Sequence, residues 1–347
     1  MGLSNARQRP CKLTRSPGAH HNRALVMAPS SLYLVTGGAG FIGSHVVERL
    51  LSQGHHVRVL DNFSTGSRAN LDFAKGDRRL EIIRGDLKSL AVVERAVRGV
   101  AAVFHQAAMR SVPRSIADPL GANASNVTGT LHVLVAAAQQ RKKPRVVYAS
   151  SSSVYGERPD LPKREEQPAV PISPYAATKV AGELYASVWS RLFGVETVGL
   201  RYFNVFGPRQ DPKSEYAAVI PRFILWGRQG KPLQVHGDGT QSRDFTFIAD
   251  AIEANLRAWK RAAPQTVYNV GGGSQVELLD AIRILERALG LQAVLRFEPR
   301  PPGDPLRTRA DAGRIERDLG FRPATPIQQG LEAEAEWARE LGLGARA

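Results

Sequence analysis

Leu32-Tyr33-Leu34-Val35-Thr36-Gly37-Gly38-Ala39-Gly40-Phe41-Ile42-Gly43-Ser44-His45-Val46-Val47 is the stretch from which the fold of this 347-residue chain is read. Leu32 to Thr36 predicts a strand, and Phe41 to Leu51 carries the apolar spacing of an amphipathic helix. Between them Gly37, Gly40 and Gly43 stand at G-x-x-G-x-x-G spacing. The first permits a tight turn, the second lets a pyrophosphate approach the backbone, and the third brings helix against strand. The helix N-terminus then faces the phosphates.

Outward from this unit the same alternation recurs. His56 to Leu60, Leu80 to Arg84, Ala101 to Gln106, Arg145 to Ser150 and Glu196 to Arg201 read as further strands with helices between. Short Val- and Leu-rich strands buried on both faces and joined by helices predict an α/β fold, a doubly wound parallel sheet of Rossmann type. Beyond Arg201, glycine and proline become frequent from Gly207 to Gly239 and from Pro299 to Pro305, around a helix at Glu277 to Leu289. The expected organisation is an extension over 1–30, a nucleotide-binding domain over 31–204, and a smaller C-terminal substrate lobe over 205–347 with segments returning to the first domain.

The bulk numbers set limits. The longest apolar runs, such as Val133 to Ala138, fall far short of the roughly 20 residues that cross a bilayer, so no membrane span is expected. Cys11 is the single cysteine, which excludes an internal disulfide and a Cys-based zinc cage; no metal site is expected, and the cytoplasm is the expected compartment. The net charge of +15 suits phosphorylated ligands. Outside Arg141 to Arg145 the basic residues are scattered over helical faces rather than clustered with aromatics, so nucleic acid is not an expected partner. Met1 to Val26 is basic and acid-free, and is expected to be a disordered tail or an over-extended start ahead of Met27. A transit peptide is the alternative, against which Pro10 and Pro17 argue.

Two sets of residues carry chemistry. The second strand ends in Asp61 and Asn62, where a carboxylate accepts hydrogen bonds from an adenosine ribose and repels a 2′-phosphate, which favours NAD over NADP. Asp86 and Leu87 close the third strand, near where an adenine amino group would lie. The strand from Arg145 ends in a serine run, Ser150 to Ser153, and Tyr175 and Lys179 follow four residues apart on the next predicted helix. That spacing puts phenol and ammonium on one face, where the cation is expected to favour phenolate so that Tyr175 acts as a base. Serine at the carboxyl end of a parallel strand lies where such sheets bind ligands.

Thr36-Gly37-Gly38-Ala39-Gly40-Phe41-Ile42-Gly43-Ser44-His45, the serine strand and the Tyr175/Lys179 pair resemble the extended short-chain dehydrogenase/reductase family over about residues 31 to 340. Arg201 to Gln210, Tyr216 to Pro221, and Gly237-Asp238-Gly239 with Ser242 to Phe245 resemble the nucleotide-sugar 4-epimerases within it. The resemblance implies that Ser151, Tyr175 and Lys179 are catalytic. It further implies that Gly37, Gly40, Phe41, Ile42, Gly43, Asp61, Asn62, Asp86, Leu87, Gln106, Ala107, Ala108, Tyr175, Lys179 and Phe203 hold NAD, with Phe203 near the nicotinamide. For the substrate it implies Arg110 and Ser111 beside it, Asn204, Val219 and Arg243 at the nucleotide diphosphate and base, Thr308 beside the sugar C2 substituent, and Ser151, Ser152, Ala218, Gln234, His236 and Asp304 as further binding residues.

The implied activity is epimerisation at C4 of a UDP-hexose through a 4-keto intermediate, with the N-acetyl forms admitted because Thr308 is small. A UDP-glucuronate 4-epimerase or decarboxylase is the alternative. A 4,6-dehydratase is disfavoured because Ser152 and Ser153 stand where those enzymes carry an Asp-Glu pair, and a non-enzymatic NAD-binding protein is the contrasting class. The sequence departs from the pattern at Pro301, where an arginine is usual, and at His236, where an aromatic residue is. By the same resemblance, helices at Leu90 to Val97 and Tyr175 to Leu192 are expected to form a homodimer interface.

Overall fold

The structure, a computed structural model, describes residues 30–212, 219–299 and 306–344. Seven parallel strands form the main sheet: β1 (Leu32–Thr36), β2 (His56–Asp61), β3 (Leu80–Arg84), β4 (Ala102–His105), β5 (Arg145–Ser151), β6 (Thr197–Tyr202) and β7 (Thr266–Val270). Their order is β7-β6-β5-β4-β1-β2-β3, with Thr36 level with both Leu60 and His105, and Ser151 level with Tyr202. The chain reverses its direction of travel across the sheet between β1 and β4, which opens a crevice at the carboxyl ends of the strands.

Both faces are covered because alternate residues of each strand point to opposite layers. Tyr33 and Val35 pack with Val46, Val47 and Leu50 of α1 (Phe41–Ser52) and with Ile248, Ala251 and Ile252 of the helix Ile248–Arg261. Leu34 faces the other way, against α2 (Leu90–Val97), α3 (Gly129–Ala138) and α4 (Pro174–Phe193). A third cluster is built from Ile220, Phe223 and Ile224 of Val219–Gln229, Leu233 and Val235, Leu278, Ile282 and Leu285 of Leu278–Leu289, and Leu331 of Ile327–Glu340.

The predicted strands hold to within a residue or two at their ends, and β7 is the one that sequence periodicity had not marked. One expectation needs correction. Val93, Ala96 and Val97 of α2 are fully buried within the chain, against α3 and the sheet, so that helix offers no apolar face to a partner. Exposed apolar side chains gather instead on α4, with Leu184, Val188 and Leu192, and on the short helices Val112–Ala117 and Pro119–Asn123 packed beside it, while others such as Phe73 and Phe297 lie elsewhere.

Candidate functional site

The glycine turn is as tight as its sequence requires. Gly37 has φ +67°, and a Cβ there would meet the Ala107 backbone at 2.8 Å. A Cβ on Gly43 would lie 2.1 Å from the Gly37 carbonyl oxygen. At Gly40, by contrast, a Cβ would meet only that same oxygen, at 3.1 Å. Gly40 is also the N-cap of α1, and no side chain caps it, so the first-turn amides are left for an outside acceptor. Asp61 holds the turn together: its Oδ2 accepts from the Ala39 N–H at 2.9 Å and its Oδ1 from that of Phe63 at 2.8 Å. Asn62 donates to Asp86 at 2.9 Å. Burial tends to raise the Asp86 carboxyl, but hydrogen bonds from the Lys88 amide and Asn62, with the Lys88 ammonium, outweigh it and hold the group below its ordinary value.

Tyr175 and Lys179 stand in the first turns of α4, which begins cleanly because the Ser173 hydroxyl accepts from the Ala176 N–H and Pro174 follows at the first helical position. Lys179 Nζ lies 5.8 Å from the centre of the Tyr175 ring and donates to the Ala149 carbonyl at 2.8 Å. Burial pushes this lysine down to about 8, while Glu183 pulls it back up. Burial also raises the Tyr175 phenol; its hydrogen bond with Ser151 and the charge of Arg110 lower it. The expected lowering by Lys179 is therefore not what governs the phenol here: burial dominates, and the opposing cation is Arg110.

A relay of hydrogen bonds joins this pair to the glycine end. Thr36 Oγ1 meets His105 Nδ1 at 2.8 Å, His105 Nε2 meets Thr130 at 2.9 Å, and Thr130 donates to the Asn126 carbonyl. Asn126 then donates to Thr178, which donates to the Tyr175 carbonyl at 2.7 Å. Asn126 was not legible in the sequence. It sits in one π-helical turn, Ala124–Thr128, a distortion with no composition signal that often marks functional sites.

One cleft of about 760 Å³ joins the glycine turn to the Tyr175 and Lys179 pair. Gly37, Gly40, Phe41, Ile42, Gly43, Asp61, Asn62, Asp86, Leu87, Gln106, Ala107 and Ala108 line it, as do Arg110, Ser151, Ser152, Tyr175 and Lys179. A second pocket of about 290 Å³ is lined by Val219, Gln234, His236 and Arg243 and shares Asn204 and Val205 with the first. Asn204 has φ +34°, a conformation a non-glycine residue keeps only where its surroundings hold it.

Three expected residues are not on these walls. Phe203 is fully buried against Tyr155 and Val154, and Tyr202 and Asn204 take the cleft surface instead. The Ser111 hydroxyl accepts from the Arg114 N–H as the cap of Val112–Ala117. Thr308 lies one step behind: its Oγ1 accepts from Asn204 Nδ2 and from the Asp244 N–H, each at 3.3 Å. Ala218, Asp304, Arg300 and Pro301 lie outside the described residues, as do Cys11 and the rest of 1–29.

Comparison with known proteins agrees with this arrangement. The model of the NAD dependent epimerase/dehydratase family matches residues 33–271. The UDP-glucose 4-epimerase of Mycolicibacterium smegmatis is 36% identical over 312 residues, spanning 88% of this chain and 98% of that protein. Among solved structures, a UDP-N-acetylglucosamine 4-epimerase from Methanobrevibacter ruminantium in complex with UDP-N-acetylmuramic acid superposes with TM-score 0.86 at 36% identity, covering 90% and 99% of the two chains. A UDP-glucuronic acid 4-epimerase from Bacillus cereus, in complex with UDP-glucuronic acid and NAD, does so with TM-score 0.83 at 34% identity, covering 89% and 99%.

Proposed function

The chain belongs to the NAD dependent epimerase/dehydratase family, and from that premise we propose that it inverts C4 of a UDP-hexose, UDP-glucose and UDP-N-acetylglucosamine among its substrates. NAD is the cofactor of this family. The cradle fits it: Gly40 leaves the backbone open to a pyrophosphate, the uncapped α1 amides face it, and Asp61 stands where an adenosine ribose would be held. When bound, NAD supplies a reversible two-electron oxidation at the sugar carbon.

The observation that carries the proposal is that a single cleft joins this cradle to Ser151, Tyr175 and Lys179 and shares Asn204 and Val205 with a second pocket. In this reading the second pocket takes the nucleotide, where Arg243 supplies a planar guanidinium suited to phosphate. Binding energy spent there, remote from C4, anchors the substrate and leaves the sugar free to turn over. Ser151 shares the C4 hydroxyl with Tyr175, which removes its proton as the 4-keto sugar forms and returns it afterwards. Thr308 acts in this reading through Asn204, whose Nδ2 it accepts from: a small residue behind Asn204 does not push that side chain towards an acetamido group at C2.

Dehydration is disfavoured by the same walls. Among the described residues the carboxylates on the cleft are Asp61, Asp86 and Asp211, whereas the places after Ser151 are held by Ser152 and Ser153, and the Ser153 hydroxyl is bonded to Ser151 at 3.1 Å. Proton transfer at C5 and C6 needs an acid–base pair that serines do not supply. The test is incubation of the purified protein with UDP-glucose, UDP-N-acetylglucosamine and UDP-glucuronate, with the C4 epimers resolved by chromatography. Epimers from the first two are expected. Conversion of UDP-glucuronate alone, or release of carbon dioxide from it, would overturn the assignment in favour of a uronate enzyme.

A further inference from the structure

Beneath the catalytic pair, outside the cleft, lies a buried ion pair that the chemistry above does not use. Glu183 is on α4 one turn beyond Lys179, and its side chain is 10% exposed; that of its partner, Arg201 on β6, is 7% exposed. The guanidinium grips the carboxylate as a fork, Nε to Oε1 at 2.9 Å and Nη2 to Oε2 at 2.6 Å. Ser150, the residue before Ser151, donates to Oε1 at 2.5 Å. Arg201 Nη1 donates to the Tyr155 hydroxyl at 2.8 Å, which donates to Asn269 Oδ1 on β7 at 2.7 Å. Asn269 Nδ2 donates in turn to the Lys163 carbonyl.

We propose that Glu183 is a positioning residue: gripped by Arg201, its carboxylate fixes the end of β5 at Ser150 and places a negative charge one helical turn behind Lys179. The argument rests on what a buried pair costs and what surrounds this one. Taking two charges out of water is expensive, and an apolar pair of similar volume is often as stable, so stability alone does not account for the pair. Lys179 is faced by three elements. Tyr175 is on its own helix, His105 on β4 is held neutral by burial and by the nearby Lys179 charge, and β5 offers the Ala149 carbonyl. Glu183 is the one anion of the set, and it pulls the lysine up against burial. The groups facing Glu183 are Arg201 on β6, Ser150 and Tyr148 on β5, and Lys179; burial holds the Tyr148 phenol well above its ordinary value, so it stays neutral.

The proposal rests on the epimerase reading for its kinetic arm and not for its spectroscopic one. Glu183→Gln, of the same shape, is prepared as the NAD-loaded protein, and the pH dependence of kcat is measured beside an NMR titration of the Lys179 ammonium. Expected are unchanged NAD content, a KM within about twofold, and a lysine titration and alkaline limb both moved down by about one pH unit, a tenfold loss of the charged fraction. Glu183→Asp is expected to restore most of the shift. Glu183→Met with Arg201→Met replaces the pair by apolar side chains and covers the case in which the single variant fails to fold; it should show the same lowered titration. A lysine titration unmoved in both variants, or wild-type kcat and pH limb in the double variant, would show the pair to be structural only. An unmoved kinetic limb with a moved titration would equally reject the positioning role. Absence of C4 inversion in wild-type protein would instead count against the epimerase reading, and the titration would still judge Glu183.

Discussion

Tyr175 is asked to give up a proton from a position that resists it. Its phenol is raised by burial, with Ser151 and Arg110 opposing, while Lys179 is lowered to about 8. Base action grows as pH rises towards the phenol, and the Lys179 ammonium, which donates to the Ala149 carbonyl one helical turn beyond that phenol, is lost as pH rises through about 8. The expected profile of kcat is therefore bell-shaped, with its fall beginning near pH 8; a rate still climbing at pH 10 would contradict the role given to Lys179. Tyr175→Phe deletes the proton acceptor and leaves the phosphate cradle intact. Turnover should drop by roughly 100-fold to 10,000-fold, with NAD still bound after purification. Near-normal turnover in that variant would remove the phenol from the mechanism.

At the scale of elements, the joint between β1 and α1 depends on backbone atoms that have nowhere to go. A methyl at Gly43 would stand 2.1 Å from the Gly37 oxygen and 2.9 Å from the Gly38 Cα, neither of which is a flexible side-chain end. Gly43→Ala should therefore push α1 away from the turn, costing about 1 to 3 kcal/mol as overpacking does, and should release NAD. Equilibrium dialysis showing wild-type NAD retention would refute this. The same joint explains what the sequence made legible. The glycine spacing, the period of buried strands and the i, i+4 pair on α4 are local patterns with local causes, so they could be read before any tertiary contact was known. Asn126 and Glu183 could not, because their meaning comes from partners 52 and 33 residues away, Thr178 and Ser150. Phe203 and Ser111 stand off the pocket walls for the complementary reason. A motif gives a residue's neighbourhood but not which way its side chain turns, and burial or a helix cap claimed both.

For the whole molecule, the surface left unexplained is apolar and continuous along one helix. Leu184, Val188 and Leu192 follow at four-residue intervals on α4, 64%, 43% and 72% exposed, with Tyr185 and Phe193 beside them. The short helices packed against α4 add Ile116 at 63% and Leu120 at 83%. A water-soluble chain rarely leaves such a patch bare, and a helix face of this kind is self-complementary across a two-fold axis. The occupant proposed is a second copy of this chain, with α4 and the 112–123 helices meeting their equivalents and α2, whose apolar face is spent internally, taking no part. Dimerisation through this face would brace the helix bearing Tyr175, Lys179 and Glu183, and Val112 and Arg114 of the adjoining short helix border the cleft itself. Leu184→Glu with Leu192→Glu places two like charges on each side of the axis. Light scattering is expected to give a dimer mass for the wild type at micromolar concentration and a monomer mass for the double variant, with bound NAD retained in both. A monomeric wild type, or a dimer indifferent to both charges, would show that this face is not the interface.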